Sequence, residues 1–394
     1  MNRTTEKLSK LVAFKTGKLD SNAAKPDGEY PFFTCSRETF RTDTYSFDCE
    51  CVLLAGNNAN GIYPIKYFSG KFDAYQRTYV IRSIDESKLI NRYLYYALQP
   101  KLDLLRSIST GAATKFLTLT ILNDLDLEVP SLPAQRKIAA ILSAYDDLIE
   151  NNTRRIKILE EVAQALYREW FVHFRFPGHE KVRMVPSALG PIPQGWGVEK
   201  LSALVETQYG YTESANNNPI GPRYVRGTDI NKTSYIEWDS VPYCPISPDE
   251  NAKYKLAQGD VLVIRMADPG KVGIIEKAVD AVFASYLIRL EIKSKALSPY
   301  FLFYFLSSDR YQGYVTGAST GTTRKSASAG VITDIHMVVP HEELRQQFEH
   351  KAEAMRRMLN SLLGSNSNLR RTRDLLLPKL ISGEMDVSNL DIRT

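Results

Sequence analysis

The sequence predicts an α/β (α+β) fold, with duplicated globular domains joined by two long antiparallel coiled-coil helices. Three observations carry this. A central stretch keeps an unbroken 3.5-residue apolar period. The plan of the first third of the chain returns in the second half. A second long helical stretch follows the second copy.

The central stretch runs from Pro133 to Trp170. Its seam reads Ile138, Leu142, Tyr145, Ile149, Asn152, Ile156, Leu159, Ala163, Leu166, Trp170, with spacings that alternate four and three. That period is the seam of a coiled coil, narrower than the stripe of an ordinary surface helix. Asn152 alone breaks the apolar rule, and a lone seam Asn commonly fixes register at some cost in stability. Pro133 suits a first helical turn, where its missing N–H costs nothing. At 1.5 Å per residue the helix is roughly 55 Å long and needs a partner of similar length. A second stretch, from about Glu342 to Leu377, supplies one. Its seam is Phe348, Ala352, Met355, Leu359, Leu362, Asn366, Leu369, and Pro378 is expected to bend or end it. Glu342 and Glu343 fall in its first turn and complement the helix dipole.

The repeat explains why two such helices exist. Glu6 to Val12 (EKLSKLV) returns as Glu199 to Val205 (EKLSALV). The segment Cys51–Leu54 leading to Asn60-Gly61-Ile62 matches Asp260–Ile264 leading to Val272-Gly273-Ile274. Tyr79–Arg82 matches Tyr286–Arg289, and the aromatic runs Tyr93–Leu98 and Tyr300–Leu306 follow. Thr110-Gly111-Ala112 then matches Thr316-Gly317-Ala318, and each copy closes on Val-Pro, at Val129-Pro130 and Val339-Pro340. Each half reads as short β-branched strands with a few helices around a small, partly antiparallel sheet. The Pro- and Gly-rich stretch Ser187–Trp196 opens the second globular part. The resulting boundaries are 1–132, 133–176, 177–340 and 341–394.

Composition excludes little but narrows the field. The chain has 394 residues, 43% apolar and 24% charged, with a net charge of +5. Residues 1–132 carry 17 Lys/Arg against 15 Asp/Glu, and residues 190–340 carry 15 against 15. Neither globular half is strongly basic, so a nucleic-acid reading must rest on pattern rather than bulk charge. The four cysteines lack metal-ligand spacing and suit a reducing compartment. The amino terminus has no apolar signal core, and the longest apolar run, Tyr300 to Leu306, is too short to span a bilayer. A cytoplasmic location is expected.

Enzyme motifs are missing. There is no GxxxxGK[ST] phosphate loop; Gly317 to Thr323 has glycines without the Lys-Ser/Thr ending. Asn217-Asn218-Pro219-Ile220 is not the Asn/Asp-Pro-Pro-Tyr/Phe run of an adenine methyltransferase. Pro248–Lys253 has the wrong spacing for a nuclease PD-(D/E)xK motif. The five histidines form no HExxH or other ligand pattern.

At this point the chain resembles the specificity subunit of type I restriction–modification systems. The resemblance rests on Leu132–Leu142 (LPAQRKIAAIL), Asp146–Asn152 (DDLIENN), Trp170-Phe171-Val172 and Leu189–Trp196 (LGPIPQGW). It extends to Gly259–Leu262, Ser285–Arg289 and Thr372–Gly383 (TRDLLLPKLISG). It covers nearly the whole chain. It implies that 1–132 and 177–340 hold two target-recognition domains, each reading half of a bipartite DNA site. It implies that the helices measure the unread spacer and dock two modification subunits, which bind S-adenosylmethionine and methylate adenine. Restriction subunits using ATP and magnesium would join that core. No cofactor, metal or catalytic centre is expected in this chain. Two rival readings stay open: a stand-alone DNA-modifying or DNA-cleaving enzyme, and a coiled-coil scaffold that binds only proteins.

Candidate DNA contacts lie in polar loops at matching points of the repeat. The first copy offers Ser109, Thr110, Thr114 and Lys115; the second offers Thr320, Thr322, Thr323, Arg324 and Lys325. Glycine lets backbone approach phosphate, while Ser, Thr, Lys and Arg donate to phosphates or base edges. Asn57, Asn58 and Asn60 occupy a turn after a strand in the first half, and Arg265 and Lys271 flank the corresponding turn in the second. Asn bonds adenine bidentately and Arg bonds guanine, although Asn-rich turns are also ordinary turns. Arg226, Arg37 and Lys66 are further candidates. The seam residues Ile138, Leu142, Tyr145, Ile149, Asn152, Ile156, Leu159, Leu166, Trp170, Phe348, Met355, Leu359, Leu362, Asn366 and Leu369 are the expected coiled-coil and subunit interface. Trp170, Phe171, Phe174 and Phe176 fit equally an anchor for partner subunits or packing against the adjacent domain.

Overall fold

The computed structural model describes residues 3–59, 61–111, 114–321 and 325–392. The chain forms two compact units, Met1–Asn151 with Ser365–Thr394, and Asn152–Gly364. Both long helices contribute to both units.

In the first unit the elements are β1 (Arg3–Lys7), β2 (Val12–Thr16), β3 (Tyr30–Phe33), β4 (Thr39–Thr42), β5 (Phe47–Ala55), β6 (Asn57–Asn58), β7 (Ile65–Ala74) and β8 (Thr78–Ser83). They are followed by α1 (Asn91–Leu98), α2 (Leu102–Ile108), β9 (Lys115–Phe116), α3 (Leu119–Asn123) and β10 (Asp126–Pro130). The long α4 spans Leu132–Tyr167. The main sheet has the order β2-β8-β5-β7-β3-β4, and β1 pairs antiparallel with β10. The apolar residues of β5, β8 and α1 meet beneath α4: Val52, Leu54, Ile81, Tyr93 and Leu94 pack with Ile138, Leu142 and Leu380. This is the burial that their β-branched and aliphatic side chains call for.

In the second unit a short hairpin, β11 (Met184–Val185) with β12 (Ile192–Pro193), precedes β13 (Gly197–Lys200), α5 (Leu201–Leu204), β14 (Val205–Tyr209) and β15 (Arg223–Val225). Then come α6 (Pro248–Tyr254), β16 (Val261–Ile264), β17 (Val272–Ile274), β18 (Ala281–Phe283) and β19 (Leu287–Ile292). The unit closes with α7 (Pro299–Leu306), α8 (Asp309–Ala318), α9 (Ala329–Thr333), β20 (His336–Val339) and the long α10 (Glu342–Ser382). Its sheet runs β14-β19-β16-β17, and β13 pairs with β20. The strand order β2-β8-β5-β7 of the first unit is thus repeated, with the same flanking pair and the same helix order. The repeat seen in the sequence is a repeat of topology.

Within the sheet its register differs from the sequence match in two places. Val52 pairs with Ile81, and Val261 pairs with Leu290. Ile81 therefore stands where Leu290 stands, and the match of Tyr79–Arg82 with Tyr286–Arg289 is out by two residues. A shift of two keeps every side chain on its face, so the apolar pattern cannot detect it. Likewise Gly61 lies in the turn before β7 with φ +64°, whereas Gly273 is inside β17 opposite Leu262.

The helices pair antiparallel within each unit. In the first, Ile149 lies by Asn366 and Asp146 lies by Arg373. In the second, Tyr167 and Phe171 pack on Phe348, and Glu160 and Arg356 both reach Ser234. All the seam residues expected from the sequence are buried or half-buried, including Leu159 and Leu362. The α4 helix ends in a π-helical turn, Arg168–Val172. Trp170, Phe171 and Phe176 are buried beside Trp196, Phe301 and Phe348 in the core of the second unit, and Phe174 packs edge-on against Trp196. Of the two readings of this aromatic run, packing within the adjacent domain is the one observed. Pro378 does not end α10, which continues to Ser382. Pro378 is solvent-exposed, while Leu377, Leu380 and Ile381 are anchored in the first unit's core, and that burial holds the helix past the lost N–H.

Candidate nucleic-acid interface

In each unit the turn at the end of the central strand is clasped by a loop between two short helices, α2 and α3 in the first unit and α8 and α9 in the second. In the first unit, β5 runs into Gly56-Asn57-Asn58. Asn57 and Asn58 pair with Phe116 and Lys115 as the two-residue ladder β6–β9. Leu117 N–H donates to the Gly56 carbonyl at 2.8 Å, and Gly56 N–H donates to the Arg77 carbonyl at 2.8 Å. The loop is closed by a bridge between Thr110 and Phe116. Gly111 has φ +109°, and a Cβ there would lie 2.0 Å from the Thr114 carbonyl oxygen, so only glycine fits. The Ser109 hydroxyl donates to the Arg106 carbonyl at 2.8 Å, and the Cys35 thiol donates to Asn57 Oδ1 at 3.0 Å. Thr110 is exposed, and Thr114 and Lys115 are half-buried.

The second unit builds the same clasp. Ala327 N–H donates to the Arg265 carbonyl at 2.9 Å, and Arg265 N–H donates to the Tyr286 carbonyl at 2.9 Å. Ala267 N–H donates to the Lys325 carbonyl, and Thr320 and Ser326 exchange both backbone hydrogen bonds. Thr320 and Lys325 are exposed. Arg265 thus takes the place of Gly56, and Lys325 the place of Lys115. The loop partner of Thr110-Gly111 is consequently Thr320-Gly321, since Gly321 also has a positive φ, +99°. Thr316-Gly317-Ala318, the sequence match, is the last turn of α8. Lys271 is exposed at the far side of the same hairpin turn as Arg265. Asn60, Thr322, Thr323 and Arg324 lie outside the described residues.

Residues 4–161 match the family model of the type I restriction modification DNA specificity domain. The Type I restriction enzyme EcoDI specificity subunit of Escherichia coli is 24% identical, over 97% of this chain and 88% of its own. The MjaVIII specificity subunit of Methanocaldococcus jannaschii is 25% identical, over 86% of this chain and 80% of its own. Over nearly its whole length the chain is similar to type I specificity subunits. The crystal structure of the type I restriction-modification S subunit from M. genitalium shares its fold, with a TM-score of 0.61 over 96% of each chain at 16% identity. The family match takes in the first clasp and most of α4; the second clasp lies beyond it.

The other candidates are differently placed. Arg226 is committed to Asp229 of its own turn: its backbone N–H and guanidinium all donate to that carboxylate, at 2.8–3.1 Å. Lys66 donates to the Glu38 carbonyl at 2.6 Å and sits over the Phe33 ring. Burial favours its neutral amine and pushes its pKa down to about 8. Arg37 is exposed. Sequence reading missed Arg77, Tyr209 and Cys35, which only the strand pairing brings to the clasps. Among the described residues no three or more His, Cys, Asp or Glu are grouped to hold a metal, and no helix is long and apolar enough to cross a membrane.

Proposed function

We propose that this chain is a specificity subunit that recognises a bipartite site in double-stranded DNA, the clasp of each unit contacting one half. The observation that carries this is that one loop architecture is built twice, on two units of like topology, with polar and basic residues at equivalent points. As a specificity subunit the chain is a non-catalytic part of its complex. Its seam helices then scaffold two modification subunits and, in a restricting assembly, restriction subunits; S-adenosylmethionine, ATP and magnesium belong to those partners. The helix pair is assigned the measurement of the unread spacer, and the cytoplasm is the expected compartment.

Lys115 in the first clasp and Lys325 in the second suit phosphate, and in the first clasp Asn57 and Asn58 suit an adenine edge. Electrophoretic mobility shifts of the pure chain at rising salt should show affinity falling steeply, since each phosphate contact releases counterions. Binding insensitive to salt, or none, would contradict DNA recognition. Turnover of DNA by the pure chain with magnesium and S-adenosylmethionine would contradict a non-catalytic role.

A further inference from the structure

The geometry points to Arg265, stacked on Tyr209, as the residue that reads guanine in the second unit's half-site, with Arg77 on Phe116 as its counterpart in the first. This rests on the DNA-binding reading above and adds to it which base is read and by which side chain. The Arg265 guanidinium carbon lies 4.9 Å from the centroid of the Tyr209 ring. Its Nε is buried and has no hydrogen-bond partner. Among the described residues its guanidinium makes no hydrogen bond or ion pair. Among the described residues the other half-buried or buried arginines of the second unit are all engaged: Arg226 on Asp229, Arg289 on Asp260, Arg356 on Glu276, Arg223 and Arg345 on backbone carbonyls. The Nε of Arg289 and of Arg345 is likewise buried without an acceptor, so what sets Arg265 apart is the rest of its guanidinium, which can take a bound acceptor without first giving one up.

The stack decides which acceptor. Ring stacking holds the guanidinium plane while leaving its N–H fork open, and that fork matches the O6 and N7 of guanine bidentately. Phosphate needs no such orientation, and the exposed Lys325 of the same clasp suits it better. Tyr209 is itself fixed, because its hydroxyl accepts from the Ala329 N–H at 3.1 Å. In the first unit the position of Arg265 is Gly56, which has no side chain. There Arg77, from the turn before β8, lies over Phe116 at 5.5 Å, and its guanidinium too has no partner among the described residues. Among the described residues each clasp therefore presents an arginine over an aromatic ring with no hydrogen bond or ion pair, half-buried at Arg265 and exposed at Arg77, delivered from non-equivalent positions.

The test is selection of bound duplexes from a pool randomised across both half-sites and the spacer, using the full chain and its variants Arg265→Ala, Arg265→Lys, Tyr209→Ala and Arg77→Ala. Arg265→Ala should lose a guanine preference of roughly 5- to 150-fold at one position of one half-site and leave the other half-site unchanged. Arg265→Lys keeps the charge and should lose most of the same preference. Tyr209→Ala should weaken it. Arg77→Ala should act on the other half-site alone. If the variants lower affinity equally for all sequences, or leave both selected half-sites intact, the inference fails while DNA recognition stands. If the unaltered chain selects no sequence, the functional reading fails first.

Discussion

The two units share a strand order but anchor their long helices with different chemistry. Asp146 of α4 and Arg356 of α10 each lie 16 residues beyond the Val-Pro proline, and each ties a helix to its own unit. Arg356 is 1% exposed, bonds Glu276, itself 6% exposed, through two N–H groups at 2.7 Å, and also donates to Ser234. Asp146 accepts from the Tyr96 hydroxyl at 2.6 Å and pairs with Arg373, but that pair is 24% and 27% exposed. The position thus tolerates either sign of charge, provided the neighbouring helix or sheet supplies the complement. A buried charge depends on its partner far more than a half-solvated one does. The same lesson holds at the clasps, where backbone pairing is repeated while the side chains, Asn57 and Asn58 against Arg265, differ.

That comparison can be broken by substitution. Glu276→Ala leaves Arg356 buried and unpaired, and should cost about 3–5 kcal/mol in urea unfolding. Arg373→Ala removes the half-exposed pair and should cost only about 1 kcal/mol. Equal costs would remove the distinction between the units.

The clasp register is sharpened by two glycines. Gly111→Ala forces a Cβ against the Thr114 carbonyl at positive φ, and should cost about 1–3 kcal/mol and impair binding to one half-site. Gly317→Ala should instead stabilise by about 0.5–1 kcal/mol, because Gly317 is helical with open space around it. Thermal unfolding and mobility shifts measure both. Similar damage from the two would restore the pairing of Thr110-Gly111 with Thr316-Gly317.

The smallest effect concerns Lys66. Its folded pKa of about 8 is below the ordinary lysine value of 10.5. Between these values the unfolded chain binds more protons, so this group's contribution to stability rises with pH across that window. Urea midpoints at pH 7.5 and 9.5 should therefore rise less, or fall more, in Lys66→Met than in the unaltered chain. An identical pH dependence would contradict the burial of Lys66.

Much of this architecture was legible in the sequence because burial imposes period. The seam of α4 needs an apolar or Asn side chain every three or four residues, and the equivalent strands β5 and β16 end in or consist of continuous aliphatic runs. Loops impose no period. The second copy holds Thr-Gly twice, at 316–317 and 320–321, and only the Thr320–Ser326 pairing distinguishes helix from loop. Arg77 and Tyr209 were invisible as site residues because each comes from a strand end far from its clasp in sequence. Pro378 does not stop α10, because local propensity yielded to the anchoring of Leu377 and Leu380.

The most direct test of recognition by two clasps is a genome-wide map of methylated adenines made by the complex containing this subunit. A motif of two short specified halves around an unspecified spacer, with Gly111→Ala altering only one half, is the expected result. A single continuous motif, or a variant that changes both halves together, would contradict it.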